Sequence, residues 1–524
     1  MSVLIDNATV IDGLGGAAFR GAVLLSGDRI AEVFTGAAPR GTDADTVVDA
    51  AGSVVSPGFI DSHAHSDAYL VLEPDAPSKI SQGITTEVNG QCGGSAAPRY
   101  GEARLSSDWA SLLGDRLVWR SFAEYRKKVE EGGIALNTVQ FVGHNTLRSS
   151  VVGYAGRPST PDELREMERI LEESLDAGGW GLTTGLIYQP GRYAAPEEVL
   201  ALASVTAAKG GLYATHMRSE GDSILEAIDE TADLARKSGV RVEISHLKTS
   251  GKANWGKLDD VICKIEDAIA EGLFLGSDRY PYCAAGTDLD IVLPDWAQEG
   301  AAKAEMSRLA DPVLRARIVS EINGSGRDWT AVMIGGTWHE KTRHYSGMRV
   351  SDILSAGEYP SPGELTADVL SLDLCRTGAF FFSMSEENLD KILSLPWIVP
   401  GSDASLRSPH GPLGLDNPHP RAYSTMPEFV TRLRALGFPL EEIVMRMTSV
   451  PAARFGIKSR GFLERGAAAD VIVWRPESFR SNSTYAQPHA FASGMEKVFV
   501  NGALTYDSGR FTGSRAGRFL SRSP

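Results

Sequence analysis

Apolar positions along this chain follow two different rhythms. The first 56 residues hold short runs, Val3–Val10, Ala22–Ser26, Ile30–Val33 and Val47–Val48, broken by Asp-Gly, Gly-Gly and Gly-Asp pairs. Such runs bounded by turn residues predict β-strands. The far end repeats the pattern: Asp470–Trp474 is followed by Lys497–Tyr506, which carries Asn501-Gly502, the signature of a tight hairpin. One small β domain built from both ends of the chain is the expectation.

Between them the rhythm changes. Short apolar runs alternate with amphipathic stretches, the pattern of parallel βα units. Thr160-Pro161-Asp162-Glu163 opens one helix with an N-cap, a proline at the first position and a glutamate at the third. Leu164, Met167, Ile170, Leu171 and Leu175 then follow helical spacing, and Gly178-Gly179 ends it. Several runs end in polar residues: Thr138–Val142 before His144, Gly211–Ala214 before His216, Val240–Ile244 before His246, and Ile398–Val399 before Asp403. Chemistry at successive strand ends predicts a (β/α)₈ barrel. A doubly wound sheet is the alternative, and it does not explain polar groups at so many strand ends. From about residue 284 to 374 the alternation lapses, and Gly and Pro breaks interleave with Trp296, Trp329 and Trp338. An insertion this long over the strand ends is expected to be a lid; a peripheral subdomain is the plainer alternative. The expected division is therefore 1–56 with 455–524 as the β domain and 57–454 as the barrel, with 284–374 as its insertion.

At 524 residues the chain exceeds one ordinary core, which agrees with that division. The net charge of −15 argues against nucleic acid or an anionic membrane as partner. No apolar run approaches the roughly 20 residues that span a bilayer. The N-terminus lacks the basic and apolar regions of a signal peptide. Cys92, Cys263, Cys283 and Cys375 are scattered without a CxxC pair. Reduced thiols and a cytoplasmic location are expected.

The chemistry concentrates at Phe59-Ile-Asp-Ser-His63-Ala-His65, a buried strand ending in two imidazoles two residues apart and so on one face. His216 and His246 also follow apolar runs. A single such histidine is usually structural; four at the strand ends of one barrel, with Asp403 at a later one, converge on one mouth and predict a metal site. Histidine, carboxylate and thiolate donors suit zinc better than a hard ion. Cys92, flanked by Gly90 and by Gly93-Gly94, has a backbone free to bring sulfur close to a ligand. Two-metal hydrolases on this barrel often bridge their ions with a carboxylated lysine from a mid-barrel strand. No lysine occurs between Lys128 and Lys209. Cys92 is then either the bridge or the third ligand of a single zinc. Asp403 reads as a metal ligand, a general base, or both. Lys248 shares the face of His246. Tyr188, Tyr280 and Arg421 lie in segments rich in Gly, Pro and aromatics, and are pocket or solvated residues. Gly179–Gly185 has the wrong spacing for a dinucleotide fingerprint, and neither GxSxG nor a P-loop occurs.

With these residues in view, the chain resembles the N-acyl-D-amino-acid deacylase (D-aminoacylase) family of the amidohydrolase superfamily, almost end to end. The resemblance is carried by Pro57–His65, Gly90-Gln-Cys92-Gly93, Val142-Gly-His-Asn-Thr-Leu-Arg148, Thr215-His-Met-Arg218, Ser245-His-Leu-Lys248, Asp278-Arg-Tyr-Pro-Tyr282, Gly401-Ser-Asp403 and Asn417-Pro-His-Pro-Arg421. It implies a β-sandwich from both termini, a barrel and a lid. It implies one tightly held zinc on Cys92, His216 and His246, and a second, weaker site at His63, His65, Cys92 and Asp403. Asp403 is then the catalytic proton carrier. Tyr188, Lys248, Tyr280 and Arg421 would hold the carboxylate and acyl carbonyl of a small N-acyl-D-amino acid. Gln91, where Asn is more usual, and Arg279, at a variable position, are the departures. The alternatives are cleavage of dipeptides with a C-terminal D-residue, cyclic-amide hydrolysis, and a catalytically silent binding barrel, which should have lost ligands. The oligomeric state is not legible.

Overall fold

The computed structural model describes residues 1–104 and 112–522. Its centre is a closed parallel barrel. The strands are Phe59–Asp61, Ile84–Asn89, Asn137–Gln140 continuing through Val142–Gly143, Gly181–Gly185, Leu212–His216, Arg241–Ile244, Leu275–Arg279 and Ile398–Pro400. Every neighbouring pair is parallel. The ring closes between last and first strand, where the Ser62 N–H donates to the Pro400 carbonyl at 3.1 Å and Ala64 bridges Ala404.

The helices outside form for the expected reasons. Pro161–Asp176 begins with a full capping box between Thr160 and Glu163 and buries Met167, Ile170, Leu171 and Leu175. The capping groups satisfy backbone donors that a helix start leaves open. The apolar stripe then supplies most of the stability by burial.

Both ends of the chain enter one nine-stranded sheet. Val471–Trp474 runs antiparallel to Val54–Pro57, so the C-terminal strands extend the sheet begun by Ser2–Val10. Because side chains alternate along a strand, Val471, Val473 and Phe499 join a core with Val3, Ile5 and Val23. Ile472, Trp474, Val498 and Val500 face the opposite way and merge with the barrel's core. The Asn501-Gly502 turn has φ of 47° and 80°, the pair of left-handed residues that a two-residue hairpin requires.

Between the last two barrel strands the chain makes a unit with its own apolar core, including Leu289, Val292, Ile318, Leu365 and Val369. Its antiparallel sheet joins Ala285–Asp288 to Gly378–Phe381, and Val332–Ile334 to the same strand. That closing strand lies beyond residue 374, so the described insertion runs from Ala285 to Phe381.

Under the barrel mouth, the fully buried Lys79 holds three segments together. Its Nζ lies 2.9 Å from Asp61 Oδ2, 2.8 Å from Glu87 Oε1 and 2.9 Å from the Ala404 carbonyl. Burial disfavours the ammonium, yet Asp61 and Glu87 outweigh it and raise its pKa. The first two strands and the turn after the eighth, which carry His63, His65, Cys92 and Asp403, are thereby pinned to one another.

Candidate metal centre and active site

The barrel delivers each candidate donor from a strand end. His63 and His65 follow the first strand, Cys92 the second, and His246 and Asp403 the sixth and eighth, while His216 closes the fifth. Cys92 sits in a tight turn with Gly90 at φ +79° and Gly93 at φ +76°. A Cβ on Gly90 would come within 2.4 Å of the Phe141 carbonyl, and one on Gly185 within 2.1 Å of the Cys92 carbonyl. Only glycine permits this approach of backbones. Cys92, His246 and Asp403 themselves have φ of 52°, 38° and 50°. Non-glycine residues adopt this region rarely, and chiefly where surrounding structure imposes it at functional sites.

The donors converge in two groups that share Cys92. His63, His65, Cys92 and Asp403 form one, and Cys92, His216 and His246 the other; within each, the donor atoms lie within 4.8 Å of one another. Cys92 Sγ is 3.3 Å from both His63 Nε2 and His246 Nε2. Asp403 Oδ1 is 3.0 Å from His65 Nε2 and 3.4 Å from His63 Nε2. Burial opposes ionisation of the thiol, but His63 and His246 outweigh it and hold Cys92 well below its usual range. Thiolate is the form that binds metal.

A ligand-accepting role fits one observation closely. Both ring nitrogens of His216, which is 5% exposed, are buried and make no hydrogen bond, Glu220 Oε2 standing 3.6 Å from Nε2. An imidazole left so is costly unless something else takes its lone pair. Sulfur and imidazole donors suit a borderline-soft divalent ion such as zinc.

An outer set of carboxylates orients these groups. Asp278 Oδ2 is 3.0 Å from His63 Nδ1, and its Oδ1 accepts the His246 backbone N–H at 3.0 Å. Glu220 Oε1 lies 2.8 Å from His246 Nδ1 and pairs with Lys248. Lys248 Nζ also reaches His246 Nδ1, at 2.7 Å; with Nδ1 engaged by this pair, Nε2 is the ring nitrogen that faces Cys92. Desolvation of the half-buried Glu220 opposes its charge, yet Lys248 and the two histidines hold its carboxyl well below the ordinary range. Sequence reasoning missed both residues as site components. The strand-end rule that selected Asp403 also applies to Asp278. Glu220 is reached through the loop after His216 and carries no such signal.

The remaining candidates surround the same space. Arg421 Nη1 lies 2.7 Å from Asp403 Oδ2, and its Nη2 donates to the Gly286 carbonyl at 3.1 Å. Although burial pushes the other way, Arg421 leads the neighbours that hold Asp403 well below the usual carboxylate range. Tyr280 is fully buried with an unpartnered hydroxyl. Its ring is flanked by Arg279 at 4.0 Å, Arg421 at 4.7 Å and Lys248 at 6.0 Å. These cations outweigh burial and lower its pKa. Tyr188 is half-buried, with its ring 4.9 Å from that of His216. His65, Cys92, His216, His246, Asp403 and Arg421 all open onto one cavity of about 1130 Å³, with Tyr188, Lys248 and Tyr280 on the same wall. His63 lies fully buried behind His65. Of the two departures, Gln91 lines the cavity with a buried, unpartnered Oε1. Arg279 is fully buried and donates to the Tyr282 carbonyl at 2.8 Å.

Imidazole, thiolate and carboxylate donors at the mouth of a parallel barrel, with cations beside them, define the class of metal-dependent hydrolases. Residues 46–268 match the model of the Amidohydrolase family. A D-aminoacylase from Alcaligenes xylosoxydans xylosoxydans is 35% identical over 99% of this chain and 98% of its own. A solved structure of a D-aminoacylase with a binuclear metal centre aligns with a TM-score of 0.83 at 33% identity, covering 99% of both chains. The zinc- and phosphonate-bound N-acyl-D-glutamate deacylase of Bordetella bronchiseptica aligns at 0.83 with 30% identity, also over 99% of both. The chain belongs to the D-aminoacylase family of metal-dependent amidohydrolases.

Proposed function

We propose that this enzyme hydrolyses the amide bond of N-acyl-D-amino acids, giving a carboxylate and a free D-amino acid, with zinc as its metal. The observation that carries this reading is the Cys92, His216 and His246 group on the cavity wall, in which the buried His216 nitrogens make no hydrogen bond. These three residues would hold the firm zinc, and His63, His65, Cys92 and Asp403 a weaker second site. Bound there, zinc would lower the pKa of a water toward about 7 and polarise the acyl carbonyl.

The protein's own groups do the rest. Asp403, kept ionised by Arg421, accepts the proton from the attacking water and returns it to the departing amine. Tyr188 faces the acyl carbonyl and donates as charge develops on its oxygen. Lys248, Tyr280 and Arg421 take the α-carboxylate; with that group and the acyl carbonyl both fixed, only one hand at the α-carbon directs its side chain into the open cavity. Lys248 and Arg421 are already paired, to Glu220 and Asp403. The substrate therefore meets oriented cations rather than mobile ones. The insertion from Ala285 to Phe381 covers the cavity as a lid. Four free cysteines, one of them a metal-site thiol, support an enzyme of a reducing, cytoplasmic compartment with a small-molecule substrate. Among the described residues, no helix is long and apolar enough to cross a membrane.

Release of free amino acid from N-acetyl-D-leucine and N-acetyl-L-leucine by the zinc-loaded enzyme tests the reading. Hydrolysis of the D form faster by at least about a hundredfold is expected, since a misplaced reacting group costs about that much. Turnover of the L form alone would overturn it. So would inertness toward both, with hydrolysis only of a dipeptide ending in a D-residue.

A further inference from the structure

The lid carries two acidic groups that the reaction above does not use. Glu305 points inward from the helix Ala301–Ala310 and is 4% exposed. Its Oε2 is buried and has no hydrogen-bond partner, although the residue lies on the wall of the active-site cavity. Asp290 lines the same cavity. Among the described residues, neither enters an ion pair. Arg308, the one cation that acts on Glu305 electrostatically, directs its Nη1 to the Ala297 carbonyl at 2.9 Å instead. The Glu305 carboxyl has a hydrogen bond with the Cys375 thiol, but a thiol carries no positive charge, and a buried carboxylate without a cation is costly.

The position of this pair follows from the strand that leads to it. Ala285–Asp288 leaves the metal centre directly. Its Gly286 carbonyl accepts from Arg421, and Thr287 lies within hydrogen-bonding reach of the Tyr188 hydroxyl. Asp290 follows three residues after Thr287, beside Ile291, which also lines the cavity. The groups assigned to the substrate's α-carboxylate thus adjoin the segment that ends in the acidic pair. A side chain branching from the carbon that bears that carboxylate would share the cavity that Asp290 and Glu305 line.

Resting on the deacylase reading, we propose that Asp290 and Glu305 form a subsite for a cationic side chain, making N-acyl-D-lysine and N-acyl-D-arginine the preferred substrates. Ile291 gives the methylene stem an apolar surface, and the ammonium or guanidinium meets the two carboxyls. Burial, with Glu305 near Asp290 and Asp288 near Glu305, pushes each carboxyl up to about 7. A cation between them relieves that strain, whereas an acidic side chain, such as that of a D-glutamate substrate, adds to it.

The test compares kcat/KM for N-acetyl-D-lysine, N-acetyl-D-arginine, N-acetyl-D-norleucine and N-acetyl-D-glutamate, with glycyl-D-norleucine as a substrate whose ammonium sits on the acyl side. The cationic pair is expected to exceed norleucine by at least about tenfold, with glutamate lowest, a specificity of ordinary size for one charged contact. In Asp290→Asn and Glu305→Gln the ratio of lysine to norleucine should fall toward one. Because the ratio is taken within each variant, partial misfolding cancels. Equal rates for lysine and norleucine in the wild type, or an unchanged ratio in both variants, would overturn the subsite while leaving the deacylase reading intact. Preference for glycyl-D-norleucine over every acetylated substrate would overturn its assignment to the D-residue's side chain. Inertness toward all the acetylated substrates would overturn the deacylase reading itself.

Discussion

Each donor at the barrel mouth depends on a neighbour that fixes its ring or carboxylate. Glu220 is the most exacting case, because one half-buried carboxylate contacts both His246 Nδ1 and Lys248. Glu220→Gln keeps the shape and removes the charge. It should weaken metal retention by about 10- to 100-fold, the usual cost of losing such an outer partner. Competition with a chelator, followed by the absorption of a cobalt-substituted enzyme, measures this; unchanged retention would mean that Glu220 only fills space. The residue scale is also where sequence reading succeeded unevenly. His63, His65, His216, His246 and Asp403 were legible because an apolar run ending in a polar residue is visible in one dimension. Glu220 was not, since only the loop Met217–Glu220 brings it back to the ring of His246. Nor does the sequence reveal that Cys92, His246 and Asp403 all occupy left-handed backbone.

Elements were legible where local chemistry decides them. The Thr160–Glu163 capping box and the Asn501-Gly502 hairpin form as their residues dictate. Gly181–Gly185 is a strand whose glycines answer to contact, for a Cβ on Gly181 would lie 1.8 Å from the Leu212 carbonyl. The insertion's closing strand, Gly378–Phe381, was not legible, because its partners lie some 45 and 90 residues earlier (Val332–Ile334 and Ala285–Asp288).

The helix His144–Val151 shows a further limit, since its polar residues are buried. His144 Nε2 lies 2.8 Å from Glu198 Oε1, and Arg148 pairs with the same carboxylate, tying this helix to Pro196–Ala208. Burial opposes the Glu198 charge, but His144 and Arg148 prevail and hold its pKa at about 2, against an ordinary 4.5. A carboxyl depressed on folding adds stability above its unfolded pKa and loses it as pH falls through the folded one. Glu198→Gln should therefore cost about 3 kcal/mol at neutral pH. Its unfolding midpoint should lie below that of the wild type at pH 7, and the gap should narrow between pH 4.5 and about 2. A gap that does not change with pH would show that packing, not charge, is what the substitution removes.

At the scale of the whole molecule, the barrel and the insertion line one cavity, and the terminal sheet packs on the barrel. The terminal sheet buries Ile472 and Trp474 against the barrel, and the insertion, with its own core, contributes residues to the cavity wall. A barrel with polar strand ends was expected from alternation alone. The continuity of the terminal sheet, and the carboxyls that the insertion turns toward the cavity, required three dimensions. The architecture brings both metal-competent groups onto one sulfur, so both sites depend on Cys92.

Zinc content after dialysis, measured by elemental analysis on wild type and Cys92→Ala, tests that most directly. The wild type should retain about one zinc per chain, as a firm site with three protein ligands does. Cys92→Ala, still folded by circular dichroism, should retain almost none and lose hydrolysis of N-acetyl-D-leucine. Equal zinc in the two proteins would contradict the thiol-centred site.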